Sequence, residues 1–208
     1  MEEVLQLYKS VNNLRYPLVC FDEASKQLVK ETRTPLPPEP GKPERYDSEY
    51  ERNGTANLFM CFAPLIGWRQ VNVTQTRRHC DYAHQMKDLV DEAFPDSIAI
   101  RIVQDNLNTH VKASLYKTFP PKEARRILDR LEFHYTPKHG SWLNMAEIEL
   151  SVLARQCLDR RIPDQATLQA EVLAWTQSRN ASPQPVDWRF TTQDARIKLK
   201  RLYPSIPD

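Results

Sequence analysis

The chain has 208 residues, enough for one sizeable domain with a core of its own. Hydrophobic residues make up 40% and charged residues 27%, a globular balance, and the formal net charge of +2 excludes a bulk polycation. No apolar run approaches the ~20 residues of a membrane span, and the acidic, amphipathic start "MEEVLQLYKSVNNLRYP" is unlike a signal peptide, so a cytoplasmic address is expected.

Residues 1–15 read as an N-terminal helix or linker, and residues 16–208 as one domain. "YPLVCF" (16–21) is the short, continuous apolar run of a buried central strand, ending on Asp22 and Glu23. The polar stretch after it carries Pro35, Pro37, Pro38, Pro40 and Pro43, which predicts a stiff, extended arm over residues 33–53. Residues 55–76 read as two strands joined near "PLIGW", a hairpin. From Cys80 to Phe94 the apolar positions Tyr82, Ala83, Met86, Leu89, Val90 and Ala93 keep helical spacing on one face. "SIAIRIVQ" (97–104) is a fourth strand, and helices over 111–118 and 121–131 are separated at Pro120-Pro121. "LEFHYT" (131–136) is a fifth strand. Helices follow over 144–158 and 164–182, the second opening on Asp164 as its cap, and the basic tail 186–208 ends in a short helix. A hairpin followed by alternating helices and strands predicts an α/β fold, a mixed five-stranded sheet flanked by helices.

The cysteines Cys20, Cys61, Cys80 and Cys157 form no Cys-x-x-Cys pair and read as reduced thiols. Cys80 and His84 share a helix face but lack two further zinc ligands. Basic residues cluster locally near 77, 122, 155 and 196, which suits a polyanionic partner or a solvated helix face.

Chemistry concentrates in the acids. Asp22 and Asp105 finish apolar strands; if those strands are parallel neighbours, both carboxylates emerge at one sheet edge. Like charges set close together repel, and such a pair persists when a divalent cation with oxygen ligands sits between them. A third acid lies in "HGSWLNMAEIELSVL". At about 100° per residue, Leu143, Leu150, Ala154 and Leu158 cluster around Glu147, which places it on the inward stripe and Glu149 on the solvent face, where substitution would be silent. Asn144-x-x-Glu147 also matches a capping box, so ligation and capping both stand for Glu147. Asp22 could equally be a turn residue and Asp105-Asn106 an Asx-turn.

Three stretches, "VCFDEASKQL", "VQDNLNTH" and "YTPKHGSWLNMAEIELSVL", together with the tail "WRFTTQDARIKLKRLYP", resemble the DDE transposases of bacterial insertion sequences in the mariner superfamily, also called DDE superfamily endonucleases. The resemblance covers nearly the whole chain. It implies a ribonuclease-H-like fold with Asp22, Asp105 and Glu147 as catalytic, metal-binding acids. It further implies two Mg2+ or Mn2+ ions per site, nicking of an element's DNA ends by water, and joining of the 3′-hydroxyl to target DNA, often at a TA step. The proline-rich arm corresponds to the segment that clasps a second subunit in relatives, so a homodimer through 33–53 is expected. Asn106, His110, Lys138, His139 and Arg155 are the expected DNA contacts, and a bacterial, nucleoid-associated setting follows. Relatives carry an N-terminal helix-turn-helix reader; here Asp22 arrives almost at once, so three readings stand: a catalytic fragment, a reader supplied by a separate upstream product, or a remnant of the gene. A nuclease that cleaves without joining, and a catalytically silent DNA-binding remnant, are the alternative readings.

Overall fold

Alternation along the first strand sets the architecture. The structure, a computed structural model, describes residues 1–43, 45–138, 140–200 and 203. Among them five strands form one sheet: β1 (Leu18–Glu31), β2 (Tyr50–Ala63), β3 (Trp68–Thr74), β4 (Ile100–Gln104) and β5 (Leu131–Tyr135), in the spatial order β3-β2-β1-β4-β5. The β1–β2 and β2–β3 pairs are antiparallel, whereas β1–β4 and β4–β5 are parallel. The helices are α1 (Glu2–Lys9), α2 (His79–Asp88), α3 (Lys112–Thr118), α4 (Pro121–Leu128), α5 (Met145–Gln156), α6 (Gln165–Ala181) and α7 (Thr192–Lys198). A π turn over Leu89–Ala93 prolongs α2.

Successive side chains of a strand leave opposite faces. Leu18 and Cys20 of β1 therefore pack into one apolar cluster, built with α1, α5, α6 and α7. Val19 and Phe21 pack into the other, built with α2, α3 and α4. The mixed sheet covered on both faces is the fold expected from the sequence. Asp164 caps α6 as expected, its carboxylate accepting from Thr167 N–H at 2.8 Å.

Three boundaries differ from expectation. β1 does not stop near Phe21 but runs on to Glu31, because the antiparallel β2 continues to pair with it, with a register shift between Gln27 and Val29. The arm accordingly loses its last residues to β2. Within it, bridges pair Leu36 with Arg45 and Glu39 with Lys42 around Gly41 at φ +80°, so prolines at 35–43 did not prevent a small antiparallel turn. The base of this ribbon is tied down where Arg161 meets Glu31 at 2.6 Å and Asn53 donates to the Pro163 carbonyl at 2.8 Å. Finally, the helix half of the reading of residues 1–15 is what forms, and it crosses the boundary drawn at residue 16: Val4, Leu5 and Tyr8 of α1 are buried in the same core as α5 and α6. Among the described residues, no helix is long and apolar enough to cross a membrane.

The β2–β3 turn supplies a stability test. Gly67 sits at φ +67°, and a Cβ there would lie 2.5 Å from the backbone of Gln184, in the segment that crosses this turn before α7. Val186 N–H bonds the Pro64 carbonyl beside it at 2.9 Å. The left-handed backbone alone costs a Cβ-bearing residue about 1–2 kcal/mol, and the clash adds to it. Gly67→Ala is expected to lower the unfolding free energy by at least about 2 kcal/mol in denaturant titration. A variant of wild-type stability would show that the crossing segment is not held there.

Candidate active site

Parallel pairing of β1 with β4 brings the two aspartates to one edge. The register pairs Leu18 with Arg101, Val19 with Ile102 and Cys20 with Val103, so Asp22 and Asp105 each follow the last paired residues by two positions, at the same end of the two strands. Asp105 stands just beyond the last residue of β4; Asp22 lies within β1, not at its end. The same alternation that divides the core sends Asp22 to the α5 face and Glu23 to the α2–α3 face.

On the α5 face, Asn144 joins helix to strand. Its Oδ1 caps α5 by accepting from Ala146 N–H at 3.2 Å, and its Nδ2 donates to the Phe21 carbonyl at 2.8 Å, with Asp22 Oδ2 3.4 Å away. The reciprocal half of a capping box does not form: Asn144 N–H is used by the Ser141 carbonyl at 2.7 Å. The Glu147 carboxylate, half-buried in the first turn of α5, is thus free of a capping role. Its charge, with those of Glu23 and Asp105, is felt at Asp22. Burial foremost, then these like charges, raise the Asp22 carboxyl to about 7 against the Glu23 N–H that favours its ionised form.

The placement of Glu149 corrects the helical-wheel expectation. The buried side of α5 is Met145, Ala146, Glu149 and Leu153, so Glu149, not Glu147, faces the core. Two residues that set the wheel are outside the helix: Leu143 is in a 3-10 turn before it and Leu158 lies beyond its C-cap, Cys157. Glu149 is 5% exposed and meets Arg69 of β3, itself 1% exposed, at 2.7 Å. Off-angle for a hydrogen bond, that contact is a charge pair.

Asp105 is held by its own loop, with His110 reaching it from the α2–α3 side. Its Oδ1 accepts from Leu107 N–H at 3.1 Å, the Asx-turn given as the alternative reading of Asp105, and lies 2.6 Å from His110 Nδ1. His110 Nε2 lies 2.9 Å from Glu23 Oε2. Burial depresses the His110 imidazolium, but the bonds to Asp105 and Glu23 outweigh it and raise the group to about 9. The His110 bond in turn holds Asp105 below the usual carboxylate range, against its partial burial.

The expected DNA contacts divide. Asn106 and Lys138 are exposed and line, with Asp105, Thr136 and Ser141, a cleft of about 520 Å³. His110 is a correction: at 1% exposure, with both ring nitrogens engaged, it cannot touch DNA. Arg155 is exposed but borders a different cleft with Arg160 and Glu171, two turns along α5 from Glu147. His139 lies outside the described residues. Glu23 and Asn144 were missed as site residues; the only signals were their positions beside Asp22 and before Glu147. Cys80 and His84 do not act as a pair: Cys80 is exposed and His84 Nδ1 bonds the Cys80 carbonyl at 2.7 Å.

The donor set bears on a metal. Among the described residues, no Lys, Arg or His pairs with Asp22 or Glu147, and the free acids offer hard oxygen ligands of the kind Mg2+ and Mn2+ take. In chemistry the residues fit such an ion, although among the described residues no three ligating side chains are drawn into a closed cage.

Solved structures with the same fold are transposase complexes. The chain is similar to the Mos1 mariner paired end complex with Mn, at 16% identity and TM-score 0.55, covering 85% of this chain and 52% of that one. It is similar to the Mos1 transposase paired-end complex with left transposon end at 15% identity and TM-score 0.56, covering 85% and 52%. The Mos1 Strand Transfer Complex matches at 14% identity and TM-score 0.53, covering 85% and 51%. The chain spans about half the length of each, and likeness at such identity establishes the ribonuclease-H-like fold. No curated protein matches the chain in sequence. Residues 17–169, well over half of the chain, match the DDE superfamily endonuclease family, and the chain belongs to it.

Proposed function

We propose that the chain is the catalytic unit of a DDE transposase, a divalent-metal-dependent enzyme that cuts DNA strands and joins the freed 3′-hydroxyl to a target phosphodiester, displacing the target strand's own 3′-oxygen. The observation that supports this reading is that Asp22 feels the charges of both Glu147 and Asp105, with no cation against Asp22 or Glu147 among the described residues, in a member of the DDE family. These three carboxylates would hold Mg2+ or Mn2+, two ions per site. When bound, such ions activate the attacking oxygen and stabilise the leaving one in an in-line displacement at phosphorus. Asn144 orients the Asp22 side by tying α5 to β1. Lys138 and Asn106 present a positive charge and an amide to the cleft beside Asp105, suited to a DNA phosphate.

Further parts of the reading follow from the same assignment. Residues 16–208 form the catalytic domain, the arm at 33–53 clasps a second copy, and the target contains a TA step. The work is done at a bacterial nucleoid. Contacts from scattered lysines and arginines should make DNA binding by this chain alone weak, sequence-independent and steeply salt-dependent.

The test is strand cleavage and joining with pre-cut element ends and Mn2+. Glu147→Gln keeps shape and loses charge, and is expected to slow cleavage by roughly a hundredfold or more with an unchanged circular dichroism spectrum. Cleavage at the wild-type rate would remove Glu147 from the site. Cleavage without joining by the wild type would make the chain a nuclease instead.

A further inference from the structure

His110 is built into the protein as few histidines are. It is 1% exposed, its ring stacks on Tyr82 with centroids 5.0 Å apart, and Phe21 meets it edge-on at 5.2 Å. Its backbone is fixed as well: the His110 carbonyl accepts from Gln104 Nε2 at 3.1 Å and from the Tyr135 hydroxyl at 3.3 Å. Rotating the ring would break contacts on both of its edges and on its face.

The two ring nitrogens reach two carboxylates of unlike standing. Nδ1 lies 2.6 Å from Oδ1 of Asp105, whose side chain is 42% exposed and borders the cleft. Nε2 lies 2.9 Å from Oε2 of Glu23, whose side chain is only 4% exposed. Glu23 is therefore in no position to touch DNA or an ion in the cleft; what it touches is the far side of the imidazole. Oδ1 of Asp105 also takes the Leu107 N–H, so turning that carboxylate would break two bonds at once. Its Oδ2 has no hydrogen-bond partner among the described residues.

We propose that Glu23 and His110 are positioning residues for Asp105, fixing its Oδ1 from behind so that Oδ2 is presented as a metal ligand. The role rests on the reading of Asp105 as a ligand made above. It follows the general behaviour of groups behind a metal ligand, which set its orientation and basicity and whose loss weakens metal binding by roughly 10–100-fold. Adjacent residues of β1 then serve one site from two faces: Asp22 directly on the α5 side, Glu23 through His110 on the other.

Isothermal titration calorimetry with Mn2+ on the full chain tests this without turnover. Glu23→Ala and His110→Ala are each expected to weaken Mn2+ binding by roughly tenfold or more. Glu23→Gln, whose amide oxygen still accepts from Nε2–H, should bind within about threefold of wild type. A merely structural cross-link would lower the melting temperature of the two alanine variants and leave Mn2+ affinity alone. If His110→Ala does not fold, Glu23→Ala carries the test, with circular dichroism confirming its fold. Wild-type Mn2+ affinity in a folded Glu23→Ala would overturn the positioning role alone. A wild type that takes up no Mn2+ would overturn the ligand reading, and the positioning role with it.

Discussion

Glu149→Gln is expected to destabilise the protein by about 3–5 kcal/mol, the cost of breaking one side of a buried ion pair. For a chain of this size that is a fall in melting temperature of roughly 6–20 °C. The reason lies in what the substitution leaves behind. Arg69, 1% exposed, loses the charge that compensates it, while Arg179 remains within 3.4 Å of position 149 as a like charge. Burial already lowers the Arg69 pKa, and Glu149 is the group that opposes this. Arg69 has little freedom to escape, because its guanidinium lies 5.3 Å from the centre of the Phe62 ring and its backbone is clamped by Asn180 on both N–H and carbonyl. Replacing the pair together, as Arg69→Met with Glu149→Leu, removes both charges and is expected to recover most of the loss. Chemical denaturation of the two single variants and the double variant measures this. A Glu149→Gln protein within 1 kcal/mol of wild type would refute the buried pair. The helix it anchors carries Glu147 two residues earlier, so the pin also steadies the turn that bears the proposed third acid.

That pair was invisible in the sequence for a physical reason. A hydrophobic stripe is found by its apolar members, and here one member is a glutamate whose partner lies in a strand far upstream. The stripe was consequently drawn through Leu143 and Leu158, which belong to the turn before α5 and the chain after it. The fold itself was legible where burial is uniform: the continuous apolar runs of β1 and β4 announced central parallel strands, and pairing them put Asp22 beside Asp105. The extension of β1 through "DEASKQLVKE" was not legible, since that half is half-exposed and is held by pairing with β2 rather than by its own pattern. In the site, the charged type of Asp22, Asp105 and Glu147 drew notice at once. His110 was seen but assigned outward to DNA, because a histidine after a polar loop carries no mark of the carboxylates that enclose it. Glu23 was passed over because strand alternation turns it away from Asp22, and only the folded position of His110 gives it work.

Asp22→Asn is expected to stabilise the metal-free protein while removing its response to divalent ions. Burial, then the charges of Glu23, Glu147 and Asp105, raise the Asp22 carboxyl from 3.8 to about 7, so ionised Asp22 is a strained group in the folded chain. The sign follows from proton counting. Between pH 3.8 and about 7 the folded protein holds a proton at Asp22 that the unfolded chain has released, so stability falls as pH rises through that window and is level above it. By pH 8 the accumulated cost is about 2–4 kcal/mol at 1.36 kcal/mol per unit, the lower end allowing for partial solvent contact. Asparagine carries no charge to strain, and its amide oxygen still accepts from Glu23 N–H. In chelator, the variant and wild type should therefore match near pH 4 and diverge toward pH 8. His110, raised to about 9, also loses stabilisation as pH climbs from 6.5, but it does so in both proteins and drops out of the difference. Adding Mn2+ should reverse the order: the wild type gains about 2.7 kcal/mol at a hundred times its dissociation constant, and the variant gains far less. Thermal melts at several pH values, with and without Mn2+, read both effects. A difference between the two proteins that does not change with pH would show that Asp22 is not strained. An equal Mn2+ response would show that it is not a ligand.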